Sequence, residues 1–149
     1  GQPLVVVDSA HTPGALEQVL KALREHTRGR LLCLFGCGGE RDRGKRPLMG
    51  ALAEEFADEV LLSDDNPRGE DGDAIIADIL VGMRRPESVV VERNRGLAIR
   101  RAIKSSVAGD LVLVAGKGHE TTQTNGALVT RFSDRETVAG LLAAGEGGA

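Results

Sequence analysis

Tryptophan and tyrosine are missing from the 149 residues, and phenylalanine occurs three times. Without aromatic faces to stack on bases, a platform for single-stranded nucleic acid is excluded. A strong charge of one sign is missing too: 19 Lys and Arg stand against 22 Asp and Glu, a formal net charge of −3. That balance gives no electrostatic case for general nucleic-acid binding, whose mark would be salt-sensitive affinity. Cysteine is scarce. Cys33 lies in an apolar run and Cys37 just beyond it, with neither a zinc-type CxxC pair nor the spaced set of a disulfide framework. Reduced thiols and a cytoplasmic location are the expectation. No apolar run approaches the roughly 20 residues of a membrane span, and no signal-peptide pattern opens the chain. No membrane partner is expected.

What is present suits one globular domain: 41% of the residues are hydrophobic, and the twenty glycines sit largely in motifs and near the C-terminal end. Gly1 stands almost directly before a strand pattern, as at a cut between domains. Gly145-Glu146-Gly147-Gly148-Ala149 reads as a flexible tail, leaving 1–144 as the domain.

Leu4-Val5-Val6-Val7 is apolar and β-branched, as a buried parallel strand should be. It stops at Asp8-Ser9-Ala10-His11-Thr12-Pro13, where Thr12 is a helix N-cap and Pro13 the first helical residue. Leu16, Val19, Leu20 and Leu23 mark that helix's inner face. Further strands are expected at Arg30–Phe35, Val60–Ser63, Ser88–Val91, Leu111–Ala115 and Ala127–Phe132. Further helices are expected from Pro47 (core face Leu48, Leu52, Phe56), at Asp73–Met83, at Leu97–Val107, and after Ser133, whose spacing to Glu136 is that of a capping box. Strand and helix alternate, so the fold class is α/β: a Rossmann-like open, mainly parallel sheet of about six strands with helices on both faces.

Right-handed crossovers put the loops after parallel strands along one edge, where open α/β sheets bind ligands. The Asp8–Pro13, Gly36–Arg46, Asp64–Arg68 and Gly116–Glu120 loops should converge there. In Ser63-Asp64-Asp65-Asn66-Pro67-Arg68, Pro67 fixes its own φ and extends Asn66, stiffening a turn suited to gripping a small zwitterion. Gly39–Arg46 nearly matches the phosphate loop GxxxxGK[ST], but Arg46 replaces the hydroxyl that would meet Mg²⁺. Arg41 also breaks a dinucleotide glycine pattern that starts at Gly36. An NTPase loop is therefore rejected, and a glycine turn carrying Arg41, Arg43, Lys45 and Arg46 is left, suited to anions. Arg41, nearest the turn, can take a carboxylate bidentately. Asp8 ends a strand, where a carboxylate can accept ribose hydroxyls or simply favour the helix start. His11 is a base or a hydrogen-bonding residue. Glu120 can meet an ammonium group or face solvent. Arg84, Arg85, Arg93, Arg95, Arg100 and Arg101 are expected on solvated faces.

Together these stretches resemble the C-terminal domain of the Mur ligases, the ATP-dependent amide ligases of peptidoglycan precursor synthesis. Asp8-Ser9-Ala10-His11-Thr12-Pro13 is similar to the family's D-Y-A-H-[NT]-P, with Ser9 in place of the tyrosine. Phe35–Asp42 followed by Gly44-Lys45-Arg46-Pro47 resembles the tripeptide synthetase branch. Asp65-Asn66-Pro67-Arg68 is similar to the signature of members that add meso-diaminopimelate, and Gly116-Lys117-Gly118-His119-Glu120 completes the set. The resemblance implies that ATP phosphorylates the D-glutamyl γ-carboxylate of UDP-N-acetylmuramoyl-L-Ala-D-Glu and that the amine of meso-diaminopimelate attacks the acyl phosphate. It implies that Arg41, Asp65, Asn66, Arg68, Gly116 and Glu120 hold the amino acid, with Asp8 and His11 on the nucleotide side. It places the working phosphate loop, the Mg²⁺ ligands, and the UDP-binding and ATP-binding domains outside these residues, with no metal site within them. The alternative is a free-standing Rossmann-like module for a nucleotide or acidic metabolite. The family reading fails if Arg41, Arg68 and Glu120 lie on opposite sides of the molecule.

Overall fold

The structure is a computed structural model and describes residues 1–147. Strands β1 (Leu4–Asp8), β2 (Leu31–Phe35), β3 (Glu59–Leu62), β4 (Val90–Val91) and β5 (Leu111–Ala115) form one parallel sheet in the order β1-β5-β2-β3-β4. The interior strands β2 and β5 are buried at every position. Both of their faces are covered, which is why Leu-Leu-Cys-Leu-Phe and Leu-Val-Leu-Val-Ala carry no polar residue. Helices α1 (Pro13–Glu25), α2 (Lys45–Phe56) and α3 (Gly72–Leu80) cover one face, packing on Leu31, Cys33 and Phe35. Helices α4 (Arg95–Lys104) and α5 (Asp134–Gly147) cover the other, packing on Leu32 and Leu34. The strand period of two divides the core into these two layers. No described helix is long and apolar enough to cross a membrane.

Helix starts follow their caps. Thr12 Oγ1 accepts from Ala15 N (3.2 Å), with Pro13 next in the chain. Asn94 Oδ1 accepts from Leu97 N (3.1 Å), and Ser133 Oγ from Glu136 N (3.2 Å). Each bond satisfies a backbone donor that has no partner within the helix.

Several expectations are corrected. The run near Ala127–Phe132 does not join the main sheet. Its strand β7 (Leu128–Arg131) pairs antiparallel with β6 (Thr122–Asn125), turning at Gly126 with φ +63°. Thr-Gln-Thr-Asn has no apolar alternation, so nothing in its pattern announced a strand. Helix α2 begins at Lys45, not Pro47, and turns Arg46, Met49, Gly50 and Ala53 inward, while Leu48 is 57% exposed. Pro86 starts a 3₁₀ turn over Pro86–Ser88, which shortens β4. Helix α5 runs on through Gly147, past Leu141 and Leu142, which pack on the core. Gly148 and Ala149 lie outside the described residues.

Arg95, expected in solvent, is 1% exposed. Its Nε and Nη2 each donate to an Asp134 carboxylate oxygen at 2.7 Å, its Nη1 to Asp64 O at 3.2 Å, and its Nη2 also to Ala115 O at 3.0 Å. One guanidinium thus ties the starts of α4 and α5 to the chain leaving β3 and β5. Removing one member of such a pair strands the other charge in low dielectric. Asp134→Ala is expected to cost about 3–5 kcal/mol of unfolding free energy, measured by urea denaturation; a loss below about 1 kcal/mol would show the pair to be hydrated.

Candidate functional site

The carboxyl ends of β2, β3 and β5 carry three loops; the first two interlock backbone to backbone, and the third joins them through side chains. Gly36 lies against Ser63 O, and Gly39 against the Pro67 carbonyl; a methyl at either would overlap the neighbouring chain. Gly39 N donates to Asn66 O at 2.7 Å, closing the contact between the first two loops.

Arg41 and Arg68 meet over Gly38, whose absent side chain would fall 3.4 Å from Arg41 Cγ and 2.7 Å from Arg68 Nη1. Arg68 Nη1 donates to Gly39 O at 2.9 Å, and no described hydrogen bond occupies its Nε or Nη2. Arg68 has φ +54° and Glu40 φ +55°, the left-handed region that side chains other than glycine seldom enter. Both are held there. Arg68 N donates to Thr124 O at 2.9 Å, and Glu40 Oε1 accepts from Gly69 N at 2.8 Å.

Asn66 joins this positive corner to an acidic one. Its Oδ1 accepts from Thr124 N (2.9 Å) and lies 3.4 Å from Lys117 Nζ. Its Nδ2 reaches Asp65 Oδ1 (3.3 Å) and Glu120 Oε1 (3.4 Å). Asp65 is 8% exposed, and burial pushes its carboxyl above the usual range, opposed by the Arg95 and Lys117 charges. Gly116, at φ +114°, sits against Asp65 Oδ2 at a point where a side chain would be strained. The structure therefore gathers Arg41, Asp65, Asn66, Arg68, Gly116 and Glu120 on one rim.

Asp8 and His11 stand apart, beside the end of β1. Asp8 Oδ2 accepts from Ala10 N (2.8 Å), and His11 Nδ1 lies 2.9 Å from Ser9 O. With Ser9, Ala10, Ala15, Gln18 and Val19 they line an open hollow of about 390 Å³. A Cβ at Gly118 would fall 2.9 Å from Ser9 Cβ, so this hollow lies beside the loop that carries Gly116 and Glu120. A larger concavity, about 550 Å³, lies near the amino end of β3 between Glu54, Asp58 and Arg84, and no rim residue lines it.

The basic loop separates into parts. Arg41 reaches the rim. Arg43 is a surface partner of Asp78 (3.3 Å), and Lys45 Nζ donates to His11 O (2.7 Å). Arg46, expected among the anion-facing residues, is fully buried. It donates from Nη1 to Glu70 Oε2 (2.6 Å) and Asp78 Oδ2 (3.0 Å), and from Nη2 to Glu70 Oε1 (2.9 Å) and Gly38 O (3.0 Å). It is a pillar under Gly38 and has no donor facing a phosphate. Lys117 and Arg95 were missed as site residues. The cue for Lys117 was a lysine enclosed by glycines at the end of the most apolar strand.

An open parallel sheet with guanidinium groups, an amide and carboxylates on its carboxyl rim is an α/β domain shaped to hold a small molecule charged at both ends. Known proteins agree with the α/β fold and supply the family. The profile described as "Mur ligase, glutamate ligase domain" matches residues 1–118. A UDP-N-acetylmuramoyl-L-alanyl-D-glutamate–2,6-diaminopimelate ligase of Xylella fastidiosa (strain Temecula1 / ATCC 700964) is 59% identical over 144 residues, covering 97% of this chain and 29% of that protein. One of the same description from Xanthomonas oryzae pv. oryzae (strain MAFF 311018) is 57% identical over 142 residues, covering 95% and 29%. A solved structure of a ligase so described superposes with TM-score 0.90 at 43% identity, covering 95% of this chain and 29% of that one. The chain belongs to the Mur ligase family. It spans about 29% of the length of these curated relatives.

The Arg46 pillar sets a pH dependence. Hydrogen bonds from Arg46 hold Glu70 at about 2, below its ordinary 4.5, helped by Glu40 N and opposed by desolvation. A carboxylate depressed on folding adds stability above its unfolded value, lost as pH falls through the folded one. Glu70→Gln should therefore lower stability at neutral pH and flatten its decline between pH 4.5 and about 2, as read by urea unfolding across that range.

Proposed function

We propose that this chain is the amino-acid-binding domain of an ATP-dependent amide ligase that adds meso-diaminopimelate to UDP-N-acetylmuramoyl-L-Ala-D-Glu in the cytoplasm, in peptidoglycan precursor synthesis. The observation that carries the reading is the single rim on which Arg41 and Arg68 stand beside Asn66, Asp65 and Glu120. The names of the relatives support it. Arg68 is assigned to the carboxylate that lysine lacks at its side-chain end, a group a guanidinium can take through two parallel bonds. Glu120 and Asp65 are assigned to the ammonium side, with Asn66 and the Gly116 backbone between the two.

ATP transfers its γ-phosphoryl group to the D-glutamyl γ-carboxylate, giving acyl phosphate and ADP. The free amine of diaminopimelate then attacks that carbonyl, forming the amide as phosphate leaves and the nitrogen gives up a proton. The contribution of these residues is orientation of the amine against the acyl phosphate. Asp8 is assigned to the ATP ribose: one of its oxygens is taken by Ala10 N, and the other has no described partner. His11 is assigned to the same nucleotide side. Lys45 and Arg46 are committed within the fold, which supports placing the phosphate-binding loop elsewhere. The Mg²⁺ that accompanies ATP is assigned, with the phosphate-binding loop, to ligands outside this chain. Its partners are then the UDP-binding and ATP-binding domains of the longer protein, and closure of those domains brings the acyl phosphate to the rim.

In the full-length protein, Arg68→Ala should lower kcat/KM for meso-diaminopimelate by about 10²-fold or more, the cost of a lost charge-assisted pair. A steady-state assay with amino acid varied checks this, and an unchanged value would favour a module with some other ligand. Residues 1–149 alone should neither hydrolyse ATP nor form product; turnover by them would contradict the division of labour.

A further inference from the structure

Lys117 is the one rim cation whose side chain is fully buried, and neither the motif nor the relatives assign it a role. Its ammonium has three donors and meets three acceptors: Thr122 O at 2.7 Å, Asn66 Oδ1 at 3.4 Å and Glu120 Oε1 at 3.4 Å, with Asp65 Oδ1 at 3.7 Å. Asn66 and Glu120 also contact each other through Nδ2 and Oε1. The buried ammonium therefore acts on two orientations at once, on the Asn66 amide together with Thr124 N and on the Glu120 carboxylate. It draws Oδ1 of Asn66 inward, so that Nδ2 is the end turned toward Glu120. It also draws Oε1 of Glu120 inward, while no described hydrogen bond engages Oε2.

We propose that Lys117 is a positioning residue for the amino-acid substrate, presenting the Asn66 amide and the Glu120 carboxylate in the geometry that receives the substrate's ammonium group. This rests on the amino-acid-binding reading of the rim. Lys117 faces two carboxylates, Asp65 and Glu120, and the Arg95 charge that also reaches Asp65 is matched by its own partner Asp134, so the cluster is one positive charge short. A substrate ammonium supplies that charge without displacing Lys117, whose shortest bond, 2.7 Å, is to the backbone oxygen of Thr122 and not to either carboxylate. Without Lys117 the two carboxylates repel each other, and Asn66 keeps a single donor, Thr124 N, on its Oδ1.

The test uses the full-length ligase with Lys117→Met, which keeps the length of the side chain and removes its charge. KM for diaminopimelate should rise about tenfold or more, in line with one lost charged hydrogen bond. KM for ATP should stay within about twofold, and Lys117→Gln, which retains donors, should recover part of the loss. A merely structural lysine would lower kcat in proportion to the folded fraction and leave every KM alone; that result overturns the proposal. Should both variants fail to fold, the ammonium serves stability and the proposal likewise falls. Glu120→Gln is run alongside: if it too leaves the diaminopimelate KM unchanged, the amino-acid reading of the rim is at fault, whereas an effect there with none at Lys117 refutes the positioning role alone.

Discussion

The arrangement depends on one buried ion pair. Arg95 and Asp134 are both fully enclosed, and charges so placed cost several kcal/mol each in lost hydration unless nearly every donor and acceptor is matched. Here the match is close: two bonds to the carboxylate, one to Asp64 O and one to Ala115 O. The consequence is positional. Strands β3 and β5 are not neighbours, since β2 lies between them. Their outgoing loops are nevertheless referred to the same guanidinium, and that fixes Asp65–Arg68 against Gly116–Glu120. Breaking the pair frees two helix starts and, with them, the spacing across the rim.

A second layer is held almost entirely by polar contacts. Strand β7 is exposed along its whole length, and a two-stranded hairpin without an apolar face is marginal in water. It persists because β6 is stitched to the site. Gln123 Nε2 donates to Asp65 O, Thr124 N to Asn66 Oδ1, Lys117 Nζ to Thr122 O, and Arg68 N to Thr124 O. The hairpin and the rim are therefore one unit: whatever loosens Asn66 or Lys117 also loosens β6. The left-handed backbone of Arg68 belongs to this stitching, because that residue turns the chain where it bridges to Asn125.

The legible parts of the sequence were those whose physics is local. Strands buried on both faces show as unbroken apolar runs, caps show as Thr-Pro or Ser-x-x-Glu, and parallel topology then dictates which loops share an edge. The illegible parts were the buried charges. Arg46 finds Glu70 24 residues away and Arg95 finds Asp134 39 away; in sequence each looks like the solvated arginines near it. Leu48 misled for the complementary reason: hydrophobic residues are free to lie at the surface, and with α2 starting at Lys45 its inner face fell on Arg46 and Met49 instead. The hairpin was half seen because β6 pairs through its backbone and holds the site with polar side chains, leaving no apolar period to read.

The three buried cations show where structure ends and recognition begins. Arg46 and Arg95 each hold a carboxylate through two short bonds, 2.6 and 2.9 Å in one case and 2.7 Å twice in the other. Those pairs close on themselves; the one donor nitrogen left without a described partner, Arg46 Nε, is buried and out of a ligand's reach. Lys117 is shared between two carboxylates at 3.4 and 3.7 Å, and Glu120 remains half exposed. Across Asn66, Arg41 and Arg68 bond only to backbone carbonyls and have no described carboxylate partner. Surplus negative charge at one end of the rim and surplus positive charge at the other would be an unrelieved cost if the rim served the fold alone. On the amino-acid-binding reading proposed above they are complementary to a molecule carrying ammonium and carboxylate groups, and such a molecule, by neutralising both ends at once, would gain more than the sum of two separate ions, since the rim fixes the distance between them.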